Sequence, residues 1–164
     1  MILTQGEKMK IACPDFKQNE SIPSLYTCEG KNTNPPLEFS DIPPHAKSLV
    51  LILDDPDVPA EVRSEKMYDH WIVFNIPPNT QKIEANKKPP GMQGQNTSGH
   101  NEYTGPCPPH QYEPKEHRYH FKLYALDQML PLKEGATKLE IEIAMKKHIL
   151  AEATLIGLYE KHRK

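Results

Sequence analysis

Four short groups of polar residues stand out in the chain, because their side chains can bind ions or transfer protons. They contain aspartates, histidines, a tyrosine and a cysteine, and they lie beside prolines or at the ends of apolar runs. In chain order they are Asp55-Pro-Asp-Val-Pro59, Asp69-His-Trp71, Tyr103-Thr-Gly-Pro-Cys-Pro-Pro109 and His117-Arg-Tyr-His120. Carboxylates and imidazoles at such positions serve as acid–base groups, metal ligands or anion receptors.

The first group holds two aspartates two residues apart. Asp55 and Asp57 face the same way on an extended chain, and they repel each other unless a donor, cation or ligand lies between them. The same residues also suit a turn in which aspartate side chains cap backbone amides beside proline. This motif alone therefore leaves both a site and a turn open.

The histidines allow a sharper expectation. His70 opens an apolar run, where a histidine is either functional or a hydrogen-bonded core residue. On a strand, His117 and Tyr119 share one face and His120 lies on the other. We therefore expect His117 and Tyr119 to face one pocket, and we do not expect the two histidines of this group to share a metal ion.

The loop that ends at Pro109 contains three prolines and a glycine in seven residues. Such a loop is stiff and can hold backbone groups toward a ligand, although it can equally be a connection without function. Cys107 near a histidine is a candidate nucleophile, but the residues that activate known cysteine nucleophiles are missing around it.

A metal site is a further alternative, since Asp55, Asp57, His70 and His117 together offer oxygen and nitrogen ligands. No HxH, HExxH or paired CxxC spacing in the sequence supports such a site. We therefore predict neither a metal nor a cofactor.

Length and composition exclude several classes of protein. The chain has 164 residues and a net charge of −2, which fits a single domain over residues 1–164 without a basic field for nucleic acid. No apolar run reaches the roughly 20 residues of a membrane helix, and residues 1–16 lack a signal pattern. We therefore expect a cytoplasmic protein without integral membrane association. Three cysteines argue against a secreted disulfide scaffold, and Cys13 and Cys28 are interpreted as structural.

The prolines indicate a β protein. Sixteen of the 17 prolines precede residue 115, and proline is excluded from helix interiors and central strands, so short strands joined by turns must fill most of the chain. Apolar runs predict strands at 48–54, 70–76 and 119–126, with weaker candidates around Ile11, Leu25 and Leu37.

The C-terminal region has a different pattern. Thr137-Lys-Leu-Glu140 forms a capping box that predicts the start of a helix, with an apolar stripe at Ile141, Met145 and Ile149. β-Branched residues and a glycine favour a strand from about 150 to 161. The loop from 81 to 105 is long enough to be functional.

The chain resembles the phosphatidylethanolamine-binding protein family, which includes the Raf kinase inhibitor protein of animals and the flowering locus T proteins of plants. The segments that carry the resemblance are Asp55-Pro-Asp-Val-Pro59, Asp69-His-Trp-Ile-Val-Phe-Asn-Ile-Pro77, Gly105-Pro-Cys-Pro-Pro109 and His117-Arg-Tyr119. Their order and spacing are most similar to its small bacterial branch. Further matches extend the similarity from about residue 11 to residue 160: Tyr26-Thr-Cys-Glu-Gly30, Asn34-Pro-Pro-Leu37, Leu123-Tyr-Ala-Leu-Asp127 and the tail from Ala153 to Tyr159. The resemblance implies a mainly β fold, an antiparallel β-sandwich of a large and a small sheet with one or two short C-terminal helices.

The resemblance also implies the residues of an anion pocket. The positions that match ligand-binding residues are Asp55, His70, Cys107, Pro108, Pro109, His117 and Tyr119. The positions that match structural or rim residues are Asp57, Pro59, Trp71 and Gly105. Cis peptide bonds are implied before Pro59 and before Pro108, and Cys107 stands where the family commonly has glycine.

We therefore expect a binding protein, not an enzyme, for small anionic ligands such as phosphate, phosphoethanolamine or a phosphorylated residue. In this hypothesis the histidines and backbone donors near Cys107 bind the anion, while Asp55 fixes the tautomer of a histidine or holds its ring protonated. A kinase or phosphoprotein partner and a homodimer are further expectations. The alternatives are a hydrolase that uses Cys107 or the cluster of Asp55, His70 and His117, and a protein–protein scaffold.

Overall fold

A computed structural model describes residues 8–162, which form two antiparallel sheets and one α-helix. The elements are β1 (Lys10–Ala12), β2 (Leu37–Ser40), β3 (Ser48–Asp55), β4 (Tyr68–Ile76), β5 (Lys82–Ile83), β6 (Met92–Gln93), β7 (His117–Leu126), α1 (Lys138–Met145) and β8 (Ile149–Tyr159). The small sheet has the strand order β1-β2-β5, and the large sheet has the order β6-β4-β3-β7-β8.

The centre of the large sheet is the most deeply buried part of the fold. Every residue of β3 is buried, because this strand lies between β4 and β7 and the sheet is covered on both faces. Leu51 and Phe121 pack toward the small sheet, whereas Ile52 and Phe74 pack under α1 with Ile141. The layers are therefore small sheet, large sheet and helix.

The structure confirms the predicted β-sandwich and its strands. The three buried strands extend one or two residues beyond the predicted limits, and the C-terminal segment is the strand β8. The candidates around Ile11 and Leu37 are β1 and β2. The candidate at Leu25 is wrong, because a short 3-10 helix covers Ser24–Tyr26 and its backbone turns back on itself through a bond from the Thr27 N–H to the Ser24 carbonyl oxygen.

The capping box that predicted the helix is present. The Thr137 hydroxyl accepts a hydrogen bond from the Glu140 N–H, and the Glu140 side chain accepts one from the Thr137 N–H. Ile141 and Met145 are the buried face of α1, while Ile149 already belongs to β8. No helix within residues 8–162 is both long and apolar enough to cross a membrane.

Candidate functional site

The candidate site lies at one end of the large sheet, where three neighbouring strands meet. Because β3 runs antiparallel to both β4 and β7, its last residues lie beside the first residues of each neighbour. A cavity of about 180 Å³ lies at this end, and all seven residues predicted to bind ligand line it. Gly105 of the predicted rim lines the cavity as well, and Val58, Val62, Tyr68 and Thr104, which were not predicted, complete the wall.

A buried carboxylate–imidazole pair occupies one side of this cavity. Asp55 Oδ2 lies 2.6 Å from His117 Nδ1, and both side chains are almost completely buried. The carboxylate keeps a proton on Nδ1 in either charge state, so Nε2 is an acceptor when the ring is neutral and a donor when it is charged. His117 Nε2 is buried without a hydrogen-bond partner. The predicted common face of His117 and Tyr119 is confirmed, because both line the cavity.

A β-bulge places His70 in the cavity. The register of β3 against β4 shifts between Leu53 and Asp54, and this leaves His70 as an extra residue in β4. Strict alternation from Trp71 would direct His70 toward the face under α1. The bulge returns it to the face that carries Tyr119, and the two rings lie 5.3 Å apart in an edge-to-face arrangement.

The hydrogen bond and burial of His70 set its charge. Nδ1 lies 2.6 Å from the Thr104 carbonyl oxygen, so this nitrogen is the donor and Nε2 is left for other partners. Burial lowers the pKa of His70, and the Thr104 carbonyl and three nearby aspartates oppose the shift without reversing it. The ring of His70 is therefore mainly neutral near pH 7 in the free protein.

Tyr119 supplies a third polar group. Its hydroxyl is buried and has no partner at hydrogen-bond distance and angle. Burial is the main cause that raises the pKa of Tyr119, and the nearby Asp55 carboxylate adds to it. The ring stacks on His117 with centroids 6.3 Å apart. A buried polar group without a partner costs free energy, so this hydroxyl and His117 Nε2 are available for a ligand or an ordered water.

The proline-rich loop that ends at Pro109 is hydrogen-bonded to the end of the 3-10 helix and to the turn that follows it. The Gly105 N–H donates to Asn32 Oδ1 at 2.7 Å, and the Tyr103 hydroxyl donates to the Tyr26 carbonyl oxygen at 2.6 Å. A Cβ atom on Gly105 would lie 2.1 Å from the same Tyr26 oxygen, so the close approach requires glycine. These contacts hold the loop where the Thr104 carbonyl can orient the ring of His70.

Cys107 forms a disulfide with Cys28, and the two Cα atoms are 5.4 Å apart. This disulfide was not predicted, because the number of cysteines argued against a disulfide scaffold. The two cysteines are 79 residues apart in the sequence, and no local motif connects them. A disulfide sulfur is not a thiolate, so Cys107 in this state cannot act as the nucleophile considered for it. The thiol of Cys13 is free and buried.

The predicted rim residues bind partners outside the cavity. Asp57 accepts three hydrogen bonds from Arg118, from the backbone N–H and from two guanidinium nitrogens, at 2.8–2.9 Å. These bonds lower the pKa of Asp57. Asp55 Oδ1 accepts from the Asp57 N–H at 2.7 Å, so the motif is both a capped turn and part of a site. The Pro59 carbonyl accepts from the backbone N–H groups of Val62 and Arg63.

The prediction of cis peptide bonds before Pro59 and Pro108 is wrong. The peptide bonds that precede Pro59 and Pro108 are trans, and within residues 8–162 the cis bond joins Glu113 and Pro114. Nothing in the motifs distinguishes these X-Pro bonds, because the isomers of such bonds differ by less than about 1 kcal/mol before the fold selects one.

Trp71 is a structural residue that faces the core. It is 1% exposed, and its indole N–H donates to Gln93 Oε1 at 2.9 Å. Its ring meets the ring of Tyr103 edge to face at 5.4 Å. Trp71 lines a different cavity, of about 250 Å³, and not the one lined by His70.

An ionic cluster on the opposite face of the large sheet was not predicted. Asp54 Oδ2 accepts from Lys122 Nζ at 3.0 Å and from Lys138 Nζ at 2.8 Å, and Lys138 also donates to Asp69 Oδ1 at 3.1 Å. Burial disfavours the charge of Lys138, but its bonds to the two aspartates raise its pKa. The sequence does contain a signal for this cluster. Asp54 and Asp55 are adjacent in a strand, so alternation places them on opposite faces and predicts a separate partner for Asp54.

The chemistry of the cavity depends on protons. None of the lining residues within the described range 8–162 is a lysine or an arginine, so among them positive charge can come only from His70 or His117. The carboxylates considered as metal ligands already have protein partners, because Asp55 is bound to His117 and Asp57 to Arg118. Across residues 8–162, no three His, Cys, Asp or Glu side chains gather into a group that could hold a metal ion.

Comparison with known proteins identifies the family of this chain. A family model described as phosphatidylethanolamine-binding protein matches residues 12–160. The chain belongs to the phosphatidylethanolamine-binding protein family. Its relatives include proteins named UPF0098 from Chlamydia muridarum, 46% identical over 153 residues, and from Methanothermobacter thermautotrophicus, 46% identical over 159 residues. Each match covers 93% of this chain and 99% of the relative.

Solved structures of phosphatidylethanolamine-binding protein homologues share the fold. CT736 of Chlamydia trachomatis has a TM-score of 0.89 at 44% identity, and the match covers 94% of this chain and 98% of CT736. YbcL of E. coli, described as a member of the mammalian family, has a TM-score of 0.83 at 27% identity, with coverage of 94% and 99%. Both the resemblance found in the sequence and the predicted β-sandwich are confirmed.

Proposed function

We propose that this member of the phosphatidylethanolamine-binding protein family binds small anionic ligands, phosphate or a phosphate monoester, in the cavity at the end of β3. The observation that supports this proposal is a pair of buried polar atoms, His117 Nε2 and the Tyr119 hydroxyl, that lack protein partners at the cavity wall. Buried polar groups are almost always paired in folded proteins. A phosphate oxygen can accept hydrogen bonds from both groups once the imidazole carries a proton.

Anion binding in this cavity takes up a proton. Burial lowers the pKa of His70 in the free protein, and an anion beside this ring favours its charged form against that cost. The pKa of an imidazole is therefore higher in the complex than in the free protein. By linkage, affinity is greatest at low pH and falls as the pH rises from the free to the bound imidazole pKa.

Calorimetry with three anions tests this proposal. Phosphate, phosphoethanolamine and sulfate are titrated into the protein at pH 6 and pH 8. Phosphate monoesters change their own charge near a pKa of about 6, whereas sulfate does not, so sulfate isolates the protons of the protein. We expect saturable binding that is stronger at pH 6 and lost in a variant that combines His70→Ala and His117→Ala.

A matched control distinguishes the cavity from the general surface charge. His45 is exposed and remote from the lining residues, so His45→Ala is expected to bind like the natural chain. If the double variant bound the anions as tightly as the natural chain, the proposed cavity would be the wrong site. If sulfate affinity were independent of pH, the proton-coupled mechanism would be wrong.

The cavity walls bear on which phosphate compounds bind best. Val58, Val62 and Pro108 contribute apolar surface to the wall, which suits a phosphate group attached to a carbon chain or an aromatic ring. A phosphorylated residue of a partner protein meets that description, and regulation of a kinase or phosphoprotein is the wider form of the proposal. Phosphotyrosine binding tighter than inorganic phosphate would support it, and a kinase inhibition assay would test the regulatory step.

A hydrolase is the second candidate, and the Asp55–His117 pair favours it. A carboxylate bound to Nδ1 of a histidine with a free Nε2 is the arrangement of a general base. We infer binding rather than catalysis because Cys107 is held in a disulfide and no other activated nucleophile lines the described cavity. Turnover of 4-nitrophenyl phosphate or acetate that disappears in Asp55→Asn would contradict this inference.

A further inference from the structure

We propose that thiol–disulfide exchange at Cys28–Cys107 regulates the cavity, with the oxidised form binding the anion tightly and the reduced form binding it more weakly. This inference rests on the proposed function, because it assigns a control to the same cavity. Three features of the described structure support it: the position of the disulfide, its connection to His70 and its exposure.

The disulfide fixes one wall of the cavity. Cys107 lines the cavity and is followed directly by Pro108 and Pro109, which line it too. Cys28 lies 79 residues earlier, in the turn after the 3-10 helix, and does not line the cavity. The covalent bond therefore anchors a ligand-facing wall to a part of the fold that lies outside the site.

The same loop orients a histidine of the site. The Thr104 carbonyl, three residues before Cys107, accepts from His70 Nδ1. Besides the bonds of Tyr103 and Gly105 described above, the loop is held near the cysteines by a hydrogen bond from the Cys28 N–H to the Pro106 carbonyl at 3.1 Å. Reduction leaves this bond as the tie nearest to Pro108, so the wall becomes less rigid. A less preorganised site must be ordered by its ligand, which lowers affinity.

The disulfide is open to a reductant. Cys28 and Cys107 are both exposed, whereas the third cysteine, Cys13, is buried. Burial raises the pKa of the Cys13 thiol, so little thiolate is present to exchange with the disulfide. Exposed disulfides are the ones that serve regulatory or catalytic roles, while buried structural ones resist reduction.

The exchange is a two-electron reaction with a dithiol. One thiolate of the dithiol attacks a sulfur of the pair, which breaks the S–S bond and forms a mixed disulfide. The second thiol of the reagent then displaces the protein sulfur, so the reagent leaves as a disulfide and the protein retains two protonated thiols. Reducing compartments such as the cytoplasm, where we predict the protein, would populate the weakly binding form, and an oxidising compartment would populate the other.

Thiol counting and calorimetry on the full chain test the inference. After dithiothreitol treatment of the folded protein, maleimide labelling should add two groups by mass, and a third only after denaturation. Inorganic phosphate and phosphoethanolamine are then titrated at pH 6 into both forms. We expect the dissociation constant of the reduced form to be at least fivefold higher. Cys28→Ser should match the reduced form with or without dithiothreitol, and Cys13→Ser should keep the redox response.

The outcomes separate this inference from the proposed function. Equal affinity of folded oxidised and reduced protein overturns the redox control and leaves anion binding intact. A disulfide that resists millimolar dithiothreitol in the folded chain overturns it as well. Absence of binding in both forms overturns the proposed function and this inference with it. If Cys28→Ser fails to fold, the chemically reduced natural chain, checked by circular dichroism, decides the question.

Discussion

Asp54 and Asp55 are neighbours in β3 that lie on opposite faces of the large sheet, and their partners differ in kind. Asp54 accepts hydrogen bonds from the side-chain amines of Lys122 and Lys138. Asp55 accepts from the imidazole of His117, whose other nitrogen is buried without a hydrogen-bond partner. One residue type therefore closes an ion-pair cluster on one face, whereas on the other face it leaves a histidine nitrogen without a partner, and the proposed anion site depends on that nitrogen.

The largest expected effect is a loss of stability on the α1 side. Asp54→Asn leaves the half-buried Lys138 without its main counter-charge, and such a broken pair costs about 3 kcal/mol of unfolding free energy. Urea denaturation measures this cost. Anion affinity of the folded variant should stay within about twofold of the natural value, because the cluster lies outside the cavity. If Asp54→Asn lost anion binding but kept its stability, the assignment of Asp54 to stability and of Asp55 to binding would be wrong.

Asp55→Asn is the matched substitution on the cavity side. It should lower anion affinity at least tenfold, about 1.4 kcal/mol, because the carboxylate that orients the ring of His117 through Nδ1 is lost. The cost in unfolding free energy should be smaller than that of Asp54→Asn, since His117 can remain neutral. Calorimetry and urea denaturation of both variants provide the comparison. Unchanged affinity in Asp55→Asn would contradict a role for this carboxylate in binding.

Tyr119→Phe sharpens the contrast further, because it removes a buried hydroxyl that has no protein partner. The unfolding free energy should be unchanged or slightly higher, since an unsatisfied polar group is lost. Phosphate affinity should fall by about fivefold, in line with one hydrogen bond of about 1 kcal/mol. The opposite pattern, with lower stability and unchanged binding, would show that the hydroxyl has a structural partner instead of a ligand.

The smallest expected effect is the dependence of stability on pH. Burial lowers the pKa of His70 in the folded chain, so between that pKa and the unfolded value of about 6.5 the unfolded chain binds more protons. Stability therefore falls as pH drops from 6.5, and His70→Gln should weaken that dependence in urea titrations at pH 5.5 and 7.5. The pKa of His120 is lowered by burial as well, but His120 is present in both chains and drops out of the difference.

The sequence alone predicts the parts of this molecule that follow from local periodicity. The face shared by His117 and Tyr119, the capping box at Thr137 and the central strands all depend on spacing within one element. The orientation of His70 does not, because a register shift between two strands decides it. The short helix at Leu25 depends on backbone bonds around Ser24 that hydrophobic patterning does not contain.

Pairings between distant segments were also beyond local patterns. The bond between Cys28 and Cys107 closes a span of 79 residues, and an odd number of cysteines gives no reason to select those two. The ion pairs of Lys138 depend on how α1 lies across the sheet. By contrast, the residues that line the cavity were predicted from the family resemblance. A family pattern indicates which distant residues lie close together in the fold, and composition and spacing do not.

The strand order of the large sheet has a consequence for the lifetime of the protein. His70 and His117 come from β4 and β7, the strands on either side of β3, so the anion that we propose for this cavity would bridge three strands. Opening of this end of the sheet then requires the ligand to leave first. Proteases that cut only opened chains would work more slowly on the occupied protein. Its abundance in a cell is therefore expected to follow the concentration of its ligand.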